Sequence, residues 1–128
     1  MFGRMEEQLA RLRDQDNGEA DLETGLSYGS GEPVTVRVRK RDQRYDLDDD
    51  GTAVRLAGEP EGWLGVAEGL MAAHGLNINR AGVVYVPAVE GRDLAGLVLA
   101  VADTSLTLYT SLLDTDLTVG FDSDTSME

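Results

Sequence analysis

The sequence predicts one α+β domain: an N-terminal helix, an antiparallel three-stranded meander, a helix, a further strand and a long C-terminal helix packed on one sheet. Two patterns predict it. Apolar and polar residues alternate over three short segments in the first half of the chain, which is the period of a half-buried strand. Before and after those segments, apolar residues recur at spacings of three and four, the period of an amphipathic helix. A chain of 128 residues is long enough to bury one core.

The first element is a predicted helix over residues 1–13. Its apolar residues recur at spacings of three, four and three, so they share one helical face. These residues are Phe2, Met5, Leu9 and Leu12. Because the pattern is too short for an independent coiled coil, this face must dock on the domain or on a second copy of it. We therefore predict that these four residues bind a partner.

The core domain is predicted over residues 33–114. An exposed acidic connector, rich in Gly and Ser, is expected before it over residues 14–32. Within the core, the strands of the meander are expected at residues 34–38, 45–47 and 52–56. Tight turns join them, and the Asp-Gly pair in the second turn readily adopts a positive φ.

Two helices and one strand complete the prediction. A helix is expected over residues 61–75, where apolar residues keep helical spacing, and a strand over residues 83–86. The apolar segment over residues 92–113 also has helical spacing. Its part from 104 to 113 alternates as well, so both helix and strand stay open there. A polar, acidic tail is expected over residues 115–128.

The charge of the chain is unusual. It carries 24 Asp and Glu against 11 Lys and Arg, a formal net charge of −13, and Lys40 is its only lysine. This composition is typical of adaptation to a salt-rich cytoplasm, where carboxylates hold water and cations and the Debye length falls to about 3 Å at 1 M salt. A preference for Arg over Lys also follows from a GC-rich genome. We interpret the charge as a property suited to the solvent rather than to a partner.

Several classes of protein are excluded or disfavoured. The absence of cysteine excludes disulfides, thiolate zinc sites and cysteine nucleophiles. The N-terminal residues lack the pattern of a signal peptide, and no run approaches the roughly 18 apolar residues of a membrane span. We expect a cytoplasmic protein that does not bind membranes.

No pattern predicts an enzyme. Gly25 to Gly29 spell the G-x-S-x-G motif of serine hydrolases, but that motif requires a strand before Ser27 and a helix after it. Here a polar connector is predicted before Ser27 and a strand after it. His74 is the only histidine and lies at the predicted end of a helix, where capping or packing explains it. We predict no catalytic residues and no cofactor.

The segment from Asp46 to Gly51 has the D-x-D-x-D-G spacing of a calcium loop, in which alternate carboxylates converge on one cation. Position twelve of such a loop is a bidentate Glu, and here it is Ala57. The flanking segments are also predicted strands rather than helices. We favour a hairpin turn with solvated acids, and keep a set of weak candidate metal ligands. These are Asp46, Asp48 and Asp50.

Five basic residues fall within the eight positions from Arg37 to Arg44. Arg37, Arg39 and Arg41 would share one face of a strand, which suits a phosphate backbone. The alternative is a solvated face whose arginines pair with nearby acids. Because the net charge repels polyanions, nucleic acid is not the expected partner. The candidate residues for that alternative are Arg37, Arg39, Arg41 and Arg44.

Residues 45–52 contain a strand that leads into an acid-acid-Gly turn, and an apolar helix follows from Trp63 to Gly75. Over residues 34–113 this arrangement resembles an uncharacterised prokaryotic family, domain of unknown function 1828. The resemblance implies no catalytic residues. The order of elements and the small acidic composition are also similar to bacterial secretion chaperones, which are homodimeric, non-enzymatic binders of extended segments of partner proteins.

The sequence therefore predicts a non-enzymatic protein–protein interaction module, or a chaperone-like adaptor, of a high-salt cytoplasm. Its expected partner is a protein or a second copy, and we expect a homodimer. The first alternative is a nucleic-acid-associated regulator that uses the basic segment over residues 37–44. The second is a protein that binds a divalent cation at the Asp46–Gly51 turn.

Overall fold

The computed structural model describes the backbone of residues 2–126 and the side chains of residues 5–114. Its helices are α1 (Phe2–Arg13), α2 (Thr52–Leu56), α3 (Trp63–His74) and α4 (Leu94–Ser126). Its strands are β1 (Gly18–Ser27), β2 (Pro33–Arg41), β3 (Arg44–Asp48), β4 (Asn77–Ile78) and β5 (Val84–Glu90). A 3₁₀ turn, Gly91–Asp93, leads into α4. The predicted α+β class is confirmed, with an N-terminal helix, an antiparallel sheet and a long C-terminal helix packed on it.

The strands form one antiparallel sheet in the order β1-β2-β3-β5-β4. In β2, Val34, Val36 and Val38 are fully buried, whereas Arg37 and Arg39, which alternate with the valines, lie on the opposite face. The alternation that predicted this strand therefore separates an inner face, which is packed, from an outer face, which is polar. The apolar inner face needs a covering layer, and the helices supply it.

Helix α4 is the main cover of the sheet. It contacts β1, β2, β3 and β5, while α1 packs on β1, and α2 and α3 pack on α4. Over residues 94–112, one side of α4 is fully buried, and the residues of that side recur at helical spacing. They are Leu94, Val98, Val101, Ser105, Leu108 and Leu112. The core of the protein thus lies between this side of α4 and the inner face of the sheet.

Two predicted elements are wrong. Within the predicted connector over residues 14–32, Gly18–Ser27 form the edge strand β1, whose acidic residues face solvent while Leu22 and Thr24 face the core. The predicted third strand over residues 52–56 is the short helix α2, in which the neighbouring residues Ala53 and Val54 are both buried. The three-stranded meander exists, but it consists of β1, β2 and β3.

Helix α3 and strand β5 confirm two further predictions, whereas the predicted end of the last helix before the tail over residues 115–128 is wrong. The predicted helix over residues 61–75 corresponds to α3, which ends at Gly75 with a φ of 71°, the left-handed cap that glycine readily supplies. The strand predicted over residues 83–86 lies in β5. The open choice over residues 104–113 is resolved as helix. The predicted tail is helical up to Ser126, and its last two residues lie outside the described part of the chain.

Helix α4 is also unusually apolar. The segment Gly91–Asp114 is long and apolar enough to cross a membrane, by length and composition alone, and within residues 2–126 it is the one such segment. Its most apolar 18-residue window has a mean hydropathy of 1.4, and 44% of that window is buried inside the protein. Burial against the sheet explains one side of this helix and leaves the other side to be explained. The absence of a membrane partner stays a prediction.

Candidate interaction surfaces

The predicted basic residues lie together on the outer face of the sheet, but each one is paired with a carboxylate. Arg37 Nε lies 3.1 and 3.2 Å from the two carboxylate oxygens of Asp48. Its hydrogen bonds to Asp48 raise the pKa of Arg37 above its ordinary value. The remaining ion pairs are Arg39–Glu19 at 2.9 Å, Arg41–Asp46 with an Nε–Oδ2 distance of 2.7 Å, and Arg44–Glu90 at 3.9 Å.

This pairing weakens the case for a phosphate-binding surface. A phosphate group that approached Arg37 or Arg41 would meet a carboxylate already held there by the same chain, whose negative charge opposes the phosphate. The surrounding acids also keep the local potential from becoming strongly positive. The geometry thus favours the alternative interpretation, a solvated face whose arginines pair with nearby acids.

The candidate metal ligands do not converge. Asp46 accepts hydrogen bonds from Arg41 and from the backbone N–H of Ala88, and Asp48 accepts from Arg37 and from the N–H of Asp50. Within the described residues, no group of three or more His, Cys, Asp or Glu side chains is placed to hold a metal ion. The predicted site at Asp46, Asp48 and Asp50 is therefore not formed. The turn leads into α2 rather than into a hairpin partner.

Asp49 was not singled out from the sequence, but its side chain turns into the core and is 1% exposed. One carboxylate oxygen accepts hydrogen bonds from the N–H groups of Gly51 and Val84, both at 2.9 Å. The other accepts one at 2.7 Å from Ser105 Oγ on α4. Burial raises the pKa of Asp49 above its ordinary value, and the hydrogen bonds act in the opposite direction.

Ser105 extends this network to Tyr28, whose hydroxyl lies 2.7 Å from Ser105 Oγ. Because Ser105 donates its one proton to Asp49, Tyr28 must donate to Ser105. Burial raises the pKa of Tyr28 to about 12, and the edge of its ring packs on Tyr109 with centroids 5.3 Å apart. We call Asp49, Ser105 and Tyr28 the buried triad. All three side chains are closed to solvent, so the triad ties loops to α4 rather than meeting a substrate.

The predicted partner-binding face of α1 is occupied by the chain itself. Met5, Leu9 and Leu12 are buried in the core of the same chain, so they are not a free face, and the side chain of Phe2 lies outside the described residues. The reason is β1, which extends the sheet under α1. The only lysine secures this docking, since Lys40 Nζ donates to the carbonyl of Arg13 at 2.6 Å. The prediction that these residues bind a partner is corrected accordingly.

A groove remains on the outside of the molecule between α1 and α4. It is a concavity of about 810 Å³ whose floor is mainly apolar and whose rim is charged. We call it the α1–α4 groove, and its lining residues are Met5, Glu6, Glu7, Leu9, Ala10, Arg13, Ala95 and Leu99. Leu99 is 36% exposed and is the one large hydrophobic side chain in residues 5–114 that is exposed to this degree.

The same side of α4 carries further exposed residues next to Leu99. We define the α4 outer face by Ala95, Gly96, Leu99 and Asp103 on α4, together with Arg92 in the 3₁₀ turn that leads into the helix, all of which are exposed. No contact among the described residues requires the glycine, because an added Cβ at Gly96 would meet none of their heavy atoms within 4 Å. This face was not distinguished from the buried side in the sequence-based prediction, although Arg92 and Asp103 mark it as solvent-facing.

Comparisons with protein-family models, with curated proteins and with solved structures gave no significant match to this chain. The resemblances to domain of unknown function 1828 and to secretion chaperones therefore stay predictions.

Proposed function

We propose that the protein is a non-enzymatic interaction module that forms a homodimer through the α4 outer face and the adjoining α1–α4 groove. The single observation that carries the proposal is the apolar surplus of α4. Less than half of its 18-residue window of mean hydropathy 1.4 is buried within the chain. Part of the remainder, including Leu97 and Leu106, is half-buried against the core, and the open part consists of Leu99 beside the mainly apolar floor of the α1–α4 groove. An open apolar surface that adjoins a groove is a candidate interface.

The occupant we assign to this surface is a second copy of the chain. The face carries a cation and an anion, Arg92 and Asp103, at opposite ends of a small apolar centre. A surface with both signs of charge can match a two-fold copy of itself, as a closed dimer requires. A purely acidic partner or a purely basic one would leave one of these charges opposed by its own sign.

The adaptor part of the proposal is supported by the order of elements. A helix, three antiparallel strands, helices, two more strands and a final helix follow the layout expected from the secretion chaperones. We propose a chaperone-like adaptor of a salt-rich cytoplasm, which self-associates through its helical layer. The dimer leaves the outer face of the sheet free.

Sedimentation velocity in about 2 M KCl, at protein concentrations from about 1 to 500 μM, tests the proposal, because an interface confined to one helical face gives affinity on the order of micromolar. We expect a monomer–dimer equilibrium. Ala95→Gln, on the outer face, should weaken it. Ala72→Gln, at an exposed position of α3, is the matched control and should leave it unchanged. A monomer at every concentration would contradict the proposal.

A further inference from the structure

The α4 outer face contains a line of four exposed residues that runs along the helix. Arg92, Gly96, Leu99 and Asp103 follow one another at spacings of four, three and four, so they stack on one side. The line is about 16 Å long, at 1.5 Å per helical residue. Residues between them, such as Val98 and Val101, are fully buried on the other side.

The two ends of the line carry free bonding capacity. The Arg92 side chain is 80% exposed, and its one ion pair within the described residues is to Glu90, at 2.9 Å from Nη2. A guanidinium has five N–H donors, so most of them remain open to a second carboxylate. Asp103 takes part in no ion pair among residues 5–114.

In the middle of the line, an exposed leucine lies one helical turn from a glycine. Leu99 projects from the helix surface, whereas Gly96, one turn before it, leaves its Cβ position open. A glycine inside a helix costs about 1 kcal/mol relative to alanine. The open Cβ position at Gly96, like those at Gly65 and Gly69 on α3, leaves room for a side chain of another molecule, and Gly96 is the one of the three that lies next to Leu99.

From this arrangement we infer that the dimer is two-fold symmetric and that its two α4 helices are antiparallel. The two-fold axis passes through the outer face at the height along the helix that is midway between Leu97 and Val98. Arg92 of each copy then lies opposite Asp103 of the second copy, and Leu99 lies over Gly96 of the second copy. The inference rests on the proposed function, since it specifies which residues of that face meet.

Other registers match the charges less well. If one copy is moved by one helical turn along the antiparallel α4 helices, Asp103 of each copy lies opposite Gly96 of the other. Arg92 then has no acidic residue of the other copy opposite it. A parallel arrangement about a two-fold axis sets Arg92 against Arg92 and Asp103 against Asp103, which repel. Among these registers, the antiparallel one centred between Leu97 and Val98 is the only one that pairs both charges and fills the gap at Gly96.

Charge reversal with rescue tests this register. We expect Arg92→Asp alone, or Asp103→Arg alone, to raise the dimer dissociation constant at least tenfold. An equimolar mixture of the two variants should form a heterodimer with a dissociation constant within about threefold of that of the wild type. In that heterodimer the unchanged Arg92 of one copy meets the unchanged Asp103 of the other, and the second ion pair re-forms with its two charges exchanged. A damaged fold cannot produce such a rescue. Loss of the Arg92–Glu90 contact cannot explain the result either, because the Arg92→Asp variant lacks that contact both alone and in the mixture.

A steric variant tests the centre of the line. Gly96→Gln should weaken the dimer, while Gly69→Gln on α3 is its matched control. Gly69 is also exposed, helical and without a heavy atom within 4 Å of an added Cβ. Both variants should fold at least as well as the wild type, as judged by circular dichroism melting, because glycine is a poor helix former.

The outcomes separate the two ideas. A wild-type monomer at all concentrations overturns both the proposed function and this register. A wild-type dimer whose dissociation constant is unchanged by the single charge reversals, or is not restored in the mixture, overturns the register alone. In that case the protein still self-associates, but through other residues.

Discussion

Replacing Ser105 by alanine tests whether the buried triad holds the fold together. The Ser105 hydroxyl donates to Asp49 and accepts from Tyr28, and all three side chains are buried. Ser105→Ala therefore leaves an acceptor and a donor without partners. Each unsatisfied buried polar group costs about 1–3 kcal/mol, and more where the group is charged. We expect a loss of about 3–5 kcal/mol in the free energy of unfolding, a large share of the 5–15 kcal/mol typical of a domain.

Urea unfolding, followed by circular dichroism, measures this loss. The midpoint should fall while the slope m stays constant, because the same surface is exposed on unfolding. Thr107→Ala is the matched control, since the Thr107 hydroxyl bonds only to the carbonyl of Asp103 on its own helix and is not part of the triad. Its expected effect is within about 0.5 kcal/mol.

A double variant sharpens the result. Tyr28→Phe combined with Ser105→Ala should cost less than the sum of the single changes, because the second substitution removes a group that the first has already left unpaired. A loss under about 1 kcal/mol for Ser105→Ala would show that the triad can relax or hydrate without penalty. The triad would then not be a structural lock.

Further predictions concern pH, salt and cations. Because the pKa of Tyr28 is about 12 in the folded state and 10 in the unfolded state, the unfolded state ionises first, and the free energy of unfolding should fall by up to about 3 kcal/mol as pH rises from about 10 to 12. Tyr28→Phe should lack this alkaline loss in urea unfolding at each pH. The pKa of Asp49 is also raised, so its contribution to stability should be largest below pH 3.8 and fall as pH rises above it; Asp49→Asn should lack that dependence. Dimer affinity should increase from about 0.1 to 1 M KCl, as the Debye length falls from about 10 to 3 Å and screens the repulsion between copies of net charge −13; sedimentation showing weaker association in salt would contradict this. Calorimetric titration with millimolar calcium should give no binding heat, since Asp46 and Asp48 are held by arginines.

Periodicity predicted the elements in which apolar residues dominate the buried side. In β2, three valines alternate with arginines, and the strand was predicted correctly. In β1 the same alternation is present, but its outward positions are acidic and its inward ones include Ala20 and Thr24, so the average polarity resembles that of a linker. Helix α2 was predicted wrongly for a different reason, since five residues are too few to distinguish helical from strand spacing.

The buried triad was not predicted, because residue type alone does not distinguish Asp49 from the aspartates on either side of it. Three consecutive aspartates look alike, yet only Asp49 continues the inward parity set by Tyr45 and Leu47 on β3. This alternation of inward and outward positions can be read from the sequence, and it identifies Asp49 as the aspartate that points inward. Its partner Ser105 was equally visible, as a polar residue on an otherwise apolar helical face. The exposed line on α4 was only partly visible in the sequence, because Arg92 and Asp103 mark a polar side of the helix, whereas the exposure of Leu99 between them depends on which side the sheet covers.

The distribution of charge and apolar surface across the two layers limits where this protein can act. On the outer face of the sheet, Arg37, Arg39 and Arg41 are already matched by carboxylates of the same chain, so a further charged ligand gains little there. The buried triad satisfies its own hydrogen bonds and is closed to solvent. Within the described side chains, the surplus that the fold leaves unmatched is the apolar side of α4 around Leu99, with an unpaired acid at Asp103. Because the charges of the sheet and the hydrogen bonds of the buried triad are already matched within the chain, the proposed dimer forms by burial of this side of α4. Its two charges, Arg92 and Asp103, then set the orientation of the two copies.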